Sequence, residues 1–163
     1  MDFLKHTASW VQGEVTQGKV MTLLGIILLI CCFFIWRNGS DILKGALVPL
    51  LLVVVILMGY GIFQIIARPG HLTTITINYQ ENPQEAIVKE KGRVYKDKNA
   101  YTKFKIAWAF LMIAGLIFYF LTGKLYYKGL ALGILFLSIS ALIIDTIMQQ
   151  RSIEYHQNIT SSE

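Results

Sequence analysis

Charge is scarce in this chain. Asp, Glu, Lys and Arg make up 15% of its 163 residues, against about 25% in an ordinary soluble domain. So little charge beside so much apolar content excludes a disordered chain. Cysteine is scarcer still: Cys31 and Cys32 are the only two. Adjacent thiols cannot staple a secreted module, and their spacing suits neither zinc, haem attachment nor a CxxC redox pair. Three prolines and no short repeat exclude collagen-like and coiled-coil fibres. Also missing are a Walker A loop, a nucleophile elbow, an HExxH helix and paired intramembrane carboxylates. His6, His71 and His156 stand apart, so no two share an apolar block to ligate haem. No catalytic residue, metal ligand or cofactor is therefore assigned.

Apolar side chains are abundant, at 55%, and they come in blocks. Residues 20–36, 45–67, 104–121 and 130–148 are each nearly free of charge; Lys105 edges the third and Asp145 lies near the end of the fourth. A helix of about 17–25 apolar residues crosses the roughly 30 Å hydrocarbon core. Continuous blocks exclude the alternating strands of a membrane barrel, and unpaired backbone in lipid leaves helices as the spanning structure. The fold class is therefore an all-α integral membrane protein, a single domain of four transmembrane helices arranged as two helical hairpins. The first block exceeds a signal-peptide core and lacks a small-x-small site after it, so it is expected to be retained.

Basic residues set the orientation. Lys5, Lys19, Arg68, Lys89, Lys91, Arg93, Lys96, Lys98, Lys103, Lys105 and Arg151 fall on one side, and Arg37, Lys44, Lys124 and Lys128 on the other. Both termini and the loop 68–103 are therefore expected in the cytoplasm. Within 1–19, Leu4, Ala8, Val11 and Val15 share a helical face, and Trp10 suits an interfacial anchor. That pattern predicts an amphipathic helix lying on the membrane. In the loop, Arg68-Pro69-Gly70 is expected to end the second helix, and Thr73 to Ile77 alternates like an extended stretch. Asn82-Pro83-Gln84-Glu85 reads as a helix start, with Asn82 as cap. From Gln84 to Lys105 the chain carries seven basic and three acidic residues. Lys89, Lys91, Arg93, Lys96, Lys98 and Lys103, with Trp10, are thus candidates to contact anionic lipids or a protein partner. The same residues serve equally as a plain positive-inside signal. No nucleic-acid module surrounds them, so nucleic acid is not an expected partner.

Asp145 is the one acidic residue inside a span and the candidate ligand or ion site, or else an interfacial carboxylate pinning the helix end near Arg151. Gly129 and Gly133 form a GxxxG pair whose face Ser140 continues, the pattern of close helix packing with another span or another copy of the chain. Gly59-Tyr60-Gly61 is similar to the core of a potassium filter, but Leu57-Met58 precede it within an unbroken apolar run, so it reads as packing. An 84-residue offset aligns Lys19 with Lys103, Phe34 with Phe118, Gly39 with Gly123, Lys44 with Lys128, Gly45 with Gly129 and Leu51 with Leu135. Such halves would be parallel repeats about an axis along the membrane normal.

Lys44-Gly45 then Pro49-Leu50, Arg68-Pro69, a basic helix into span three, Lys128-Gly129, Asp145, Arg151 and Tyr155 follow one another in a familiar order. In this the chain resembles a group of small, functionally uncharacterised four-span membrane proteins of the Bacteroides–Flavobacterium lineage of bacteria. The resemblance covers roughly residues 39–159 and implies a bacterial inner-membrane address without assigning an activity. The residues by themselves favour a non-catalytic scaffold or accessory protein, working alone or as a homo-oligomer with a membrane or cytoplasmic partner. An oligomeric small transporter or pore using Asp145, and a membrane redox or lipid enzyme, stand as alternatives.

Overall fold

In the computed structural model, which describes residues 2–160, four helices account for almost the whole chain. They are α1 (Asp2–Asn38), α2 (Asp41–Glu81), α3 (Pro83–Leu121) and α4 (Leu125–Thr160). All four are long and apolar enough to cross a membrane. At 1.5 Å per residue each is about 55–60 Å long, roughly twice the hydrocarbon core. Each helix therefore has one apolar half and one half that continues past it. No more than 28% of the most apolar stretch of any helix is buried within the chain. Val55, Ile66, Phe110, Phe120 and other large apolar side chains point outward instead.

The other halves converge at what we call the polar end, where they form a core of their own. Phe3, Trp10, Val11, Ile75, Val94, Tyr155 and Ile159 are buried together there, with Leu4, Val15, Leu72, Tyr79 and Ile87 packed around them. This revises three expectations. Residues 2–19 do not lie apart on a surface; they are the first half of an unbroken α1. Their buried face is Phe3, Thr7, Trp10, Val11 and Glu14; of the expected stripe Val11 is buried, Leu4 and Val15 pack against the core and Ala8 is half-buried. Trp10, expected to anchor in the interface, is 8% exposed. The second helix does not end at Pro69-Gly70 but runs on to Glu81.

Thr73 to Ile77 is helical as well. Thr73, Thr74 and Thr76 return their hydroxyls to the carbonyls four residues back, which satisfies them within the helix. A β-branched residue costs a helix only a few tenths of a kcal/mol, whereas burying Ile75 contributes roughly 2 kcal/mol. Packing therefore outweighs the local preference. The expected start at Asn82 stands: its side chain accepts the Glu85 N–H at 3.3 Å, with Pro83 opening the helix. That single residue joins α2 to α3.

α1 packs antiparallel along α2, α3 along α4, and α2 against α4 through the middle. The α2–α4 contact is backbone on backbone. A Cβ on Gly129 would sit 1.7 Å from the Ile42 carbonyl oxygen, and one on Gly45 would sit 1.9 Å from that of Tyr126. These two contacts are related by the 84-residue offset, which carries 42 to 126 and 45 to 129. The same offset carries the start of α2 at Asp41 to the start of α4 at Leu125. The packing thus has a pseudo-two-fold axis between α2 and α4. Gly133 faces Ala46 and Pro49 across the same seam. Ser140, on the same side of the helix, is half-buried, and Ser138 and Ala141 next to it are buried. Of the Gly59-Tyr60-Gly61 triplet, Gly61 packs against Gly18 and Thr22 of α1, while Gly59 has open space beside it.

The contrast between two helical glycines is a test of this seam. Gly129→Ala should destabilise the chain by about 2–3 kcal/mol, because backbone cannot move aside as a side chain can. Gly59→Ala should stabilise it by about 0.5–1 kcal/mol through helix propensity alone. Thermal unfolding of both variants in the same micelles reads the two signs; equal shifts would contradict the packing.

Candidate functional site

Four helices each bring polar side chains to the centre of the polar end. Glu14 of α1 is 1% exposed and Gln64 of α2 is fully buried. Gln64 Nε2 donates to Glu14 Oε2 at 2.9 Å. Two guanidiniums face the same carboxylate, with Arg68 Nε 3.4 Å from Oε2 and Arg151 Nε 3.9 Å from Oε1. Arg151 is further held by the Gly13 carbonyl at 2.9 Å and Gln17 Oε1 at 2.7 Å.

A second buried carboxylate lies farther out. Arg93 grips Glu90 with two donors, Nε to Oε2 at 2.9 Å and Nη2 to Oε1 at 2.6 Å. Tyr155 donates to Glu90 Oε1 at 3.1 Å, and His71 Nε2 lies 3.3 Å from the same oxygen. Thr7 in turn bonds the Tyr155 hydroxyl at 2.9 Å. Trp10 stands between the two clusters. It stacks on Tyr155 at 4.8 Å, and Arg68 and Arg93 lie 4.8 and 5.0 Å from its ring centre. Each guanidinium is paired with a carboxylate and is also attracted by the ring face.

Burial pushes the Glu90 carboxyl up, but hydrogen bonds from Arg93 and His71 and their charges outweigh it and hold the group down at about 2. Burial and the Glu90 charge push the Tyr155 phenol up, so it stays a donor. Arg93 is held above its ordinary value, since its bonds to Glu90 outweigh its own burial. Such a cluster ties helices together. Among the described residues no three His, Cys, Asp or Glu side chains gather to hold a metal.

The residues singled out from the sequence are scattered around this centre. Lys89, Lys96 and Lys103 are exposed, seven residues apart on one face of α3, and Lys91 and Lys98 are half-buried. Arg93 turns inward to Glu90 and Asp97 rather than to a surface partner. Because α3 is a single helix, Lys89 stands about 20 Å farther along it than Lys103. A cleft of about 540 Å³ lies between α2 and α3, with Lys89 and Lys96 on its rim and Asn78, Thr74 and His71 opposite. Asp145 accepts from Trp108 Nε1 at 2.8 Å, which pins α3 to α4. It lines a side groove of about 370 Å³ with Tyr60, Tyr101 and Phe104, while Arg151, six residues on, pairs with Glu14. Cys31 is exposed and Cys32 buried, both as free thiols.

Sequence reasoning missed Glu14, Gln64, Glu90 and Tyr155. One signal was present: Gln64 is an amide inside an apolar block, and a polar residue there asks for a partner. Comparison with protein-family models, curated proteins and solved structures finds no match to this chain.

The Glu90 cluster makes a pH prediction. A carboxyl held down in the folded state contributes stability that is present above its ordinary value near 4.5 and is lost as pH falls through about 2. Between about pH 5 and pH 2 the wild type should lose on the order of 3 kcal/mol more than Glu90→Gln. Denaturant unfolding followed by circular dichroism measures this; parallel loss in both proteins would contradict the pairing.

Proposed function

We propose that the chain is a non-catalytic scaffold or accessory protein of the bacterial inner membrane, spanning it as two helical hairpins with both termini in the cytoplasm. The observation that carries this reading is the polar end. Its buried carboxylates and their partners hold four helices together, and a stripe of exposed lysines stands beside a cleft. A rigid, basic projection anchored by four spans suits the capture of an acidic partner, a membrane or cytoplasmic protein. The lysines nearest the spans, Lys98 and Lys103, suit anionic headgroups of the lipid bilayer. A further copy of the chain is compatible with the outward apolar faces of the spans. The transporter or pore reading has less behind it, because backbone contact fills the axis between α2 and α4 and Asp145 lines a groove to one side.

A photo-crosslinker at position 92, which is exposed between Lys89 and Lys96, tests the reading in native membranes. A discrete crosslinked product is expected. The triple change Lys89→Glu, Lys96→Glu, Lys103→Glu should reduce its yield at least about tenfold, since opposed charges become like charges. No product, or the same yield from the reversed chain, would remove the proposal.

A further inference from the structure

Two grooves open on the flanks of the chain where its apolar half meets its polar half. The larger, about 650 Å³, lies between α1 and α4; the smaller is the groove of Asp145. They are the same groove twice. The 84-residue offset carries Gln17, Val20, Leu24 and Leu57 of the first to Tyr101, Phe104, Trp108 and Ala141 of the second. The one charged residue lining each differs in sign. The first is headed by Arg151, whose counterpart is Ala67, and the second holds Asp145, whose counterpart is Gly61.

The α1–α4 groove is graded along its length. Ser9, Gln12 and Arg151 line its outer end, and Leu24, Leu57 and Ile143 its inner end. Ser9 and Leu24 are fifteen residues apart on one helix, about 22 Å. Half the hydrocarbon core plus one headgroup layer is about the same length. The outer end also carries unbalanced charge. Glu14 is one carboxylate facing two guanidiniums, Arg68 and Arg151, and the other bonds of Arg151 go to neutral oxygens of Gly13, Gln17 and Trp10. Glu154, the next acid along α4, is exposed and accepts from Gln150. Gly13 makes room for this arrangement: a Cβ there would lie 1.8 Å from Arg151 Nη2. Arg151, the one charged side chain lining the groove, thus stands at the head of an apolar channel of lipid length.

We infer that the α1–α4 groove binds one anionic phospholipid of the adjoining leaflet, its phosphate on Arg151 and an acyl chain along Leu24, Leu57 and Ile143. A basic pocket between helices at the membrane edge recognises an anionic headgroup in this way. A zwitterionic lipid fits less well, since no carboxylate lines the groove itself to meet its ammonium. The Asp145 groove, with its sign reversed, takes no anionic lipid. The inference requires only that the four helices cross a membrane and is independent of any docking partner. A chain that retains its lipid but yields no crosslinked product upholds this inference and removes the scaffold reading.

Native mass spectrometry of the full chain, offered phosphatidylglycerol or phosphatidylethanolamine in turn, tests it. One phosphatidylglycerol should be retained about tenfold more tightly than phosphatidylethanolamine, and Arg151→Gln should erase that preference. Arg151 also braces α1 against α4, so Leu24→Trp provides a second variant. Leu24 is 49% exposed, and a larger ring there fills the groove without entering the core, so retention of both lipids should fall. Asp145→Asn should leave phosphatidylglycerol retention unchanged. Equal retention of the two lipids, retention indifferent to Leu24→Trp, loss with Asp145→Asn, or a dimer that excludes lipid from the groove would each overturn the inference.

Discussion

Two buried carboxylates, Glu14 and Glu90, impose the constraint on which the polar end depends. A carboxylate at 1–3% exposure is tolerable only when donors surround it, and removing one partner of such a pair costs about 3–5 kcal/mol. Neither acid finds its donors on its own helix alone. Glu14 on α1 needs Gln64 and Arg68 from α2 and Arg151 from α4. Glu90 on α3 has Arg93 beside it but draws His71 from α2 and Tyr155 from α4. The four helix ends therefore cannot splay apart without stranding charge. Trp10, between the clusters, turns the same requirement into apolar burial.

The apolar half obeys a different rule. Hydrophobic burial gives little between helices already in lipid, so close packing of small residues takes over. Gly45 and Gly129 supply it at the α2–α4 seam, each bare backbone receiving a carbonyl of the other helix. That the two contacts exchange under one offset makes the seam a pseudo-two-fold axis. Around that axis the frame is shared while the chemistry has diverged. His71 and Tyr155 occupy equivalent positions, yet both meet the same oxygen of Glu90. Gln64 and Met148 are equivalents too, and they touch. Symmetric scaffolding with asymmetric side chains is also what gives the two flank grooves opposite signs.

Much of the apolar half was legible in the sequence. The four blocks became four helices long enough to cross a membrane, and Gly129 and Gly133 pack as their spacing implied. Asn82 caps α3, and the 84-residue offset reappears as geometry. The polar end was far less legible. Pro69, Gly70 and the Thr-Ile alternation are local signals, and they lose to the burial of Ile75 and Leu72 in a core assembled from all four helices. Of the face expected in residues 2–19, Val11, Leu4 and Val15 do reach the core, but Thr7 and Glu14, buried beside them, went unread. Their partners lie far along the chain, Tyr155 for Thr7 and Arg151 for Glu14. A buried ion pair of this kind leaves no periodic trace, so it becomes visible only when the helices are placed side by side.

Amide hydrogen exchange over residues 68–103 tests the central claim most directly, since opening of a packed core and solvent exposure of a loop differ by orders of magnitude in protection. The account predicts that amides of 72–80 and 87–100 exchange as slowly as those of 5–16 and 149–158. All four segments should open together as one unit. Rapid exchange across 70–81, with protection resuming only inside the third span, would contradict it. That outcome would leave a loop and a surface helix in place of the buried carboxylate core.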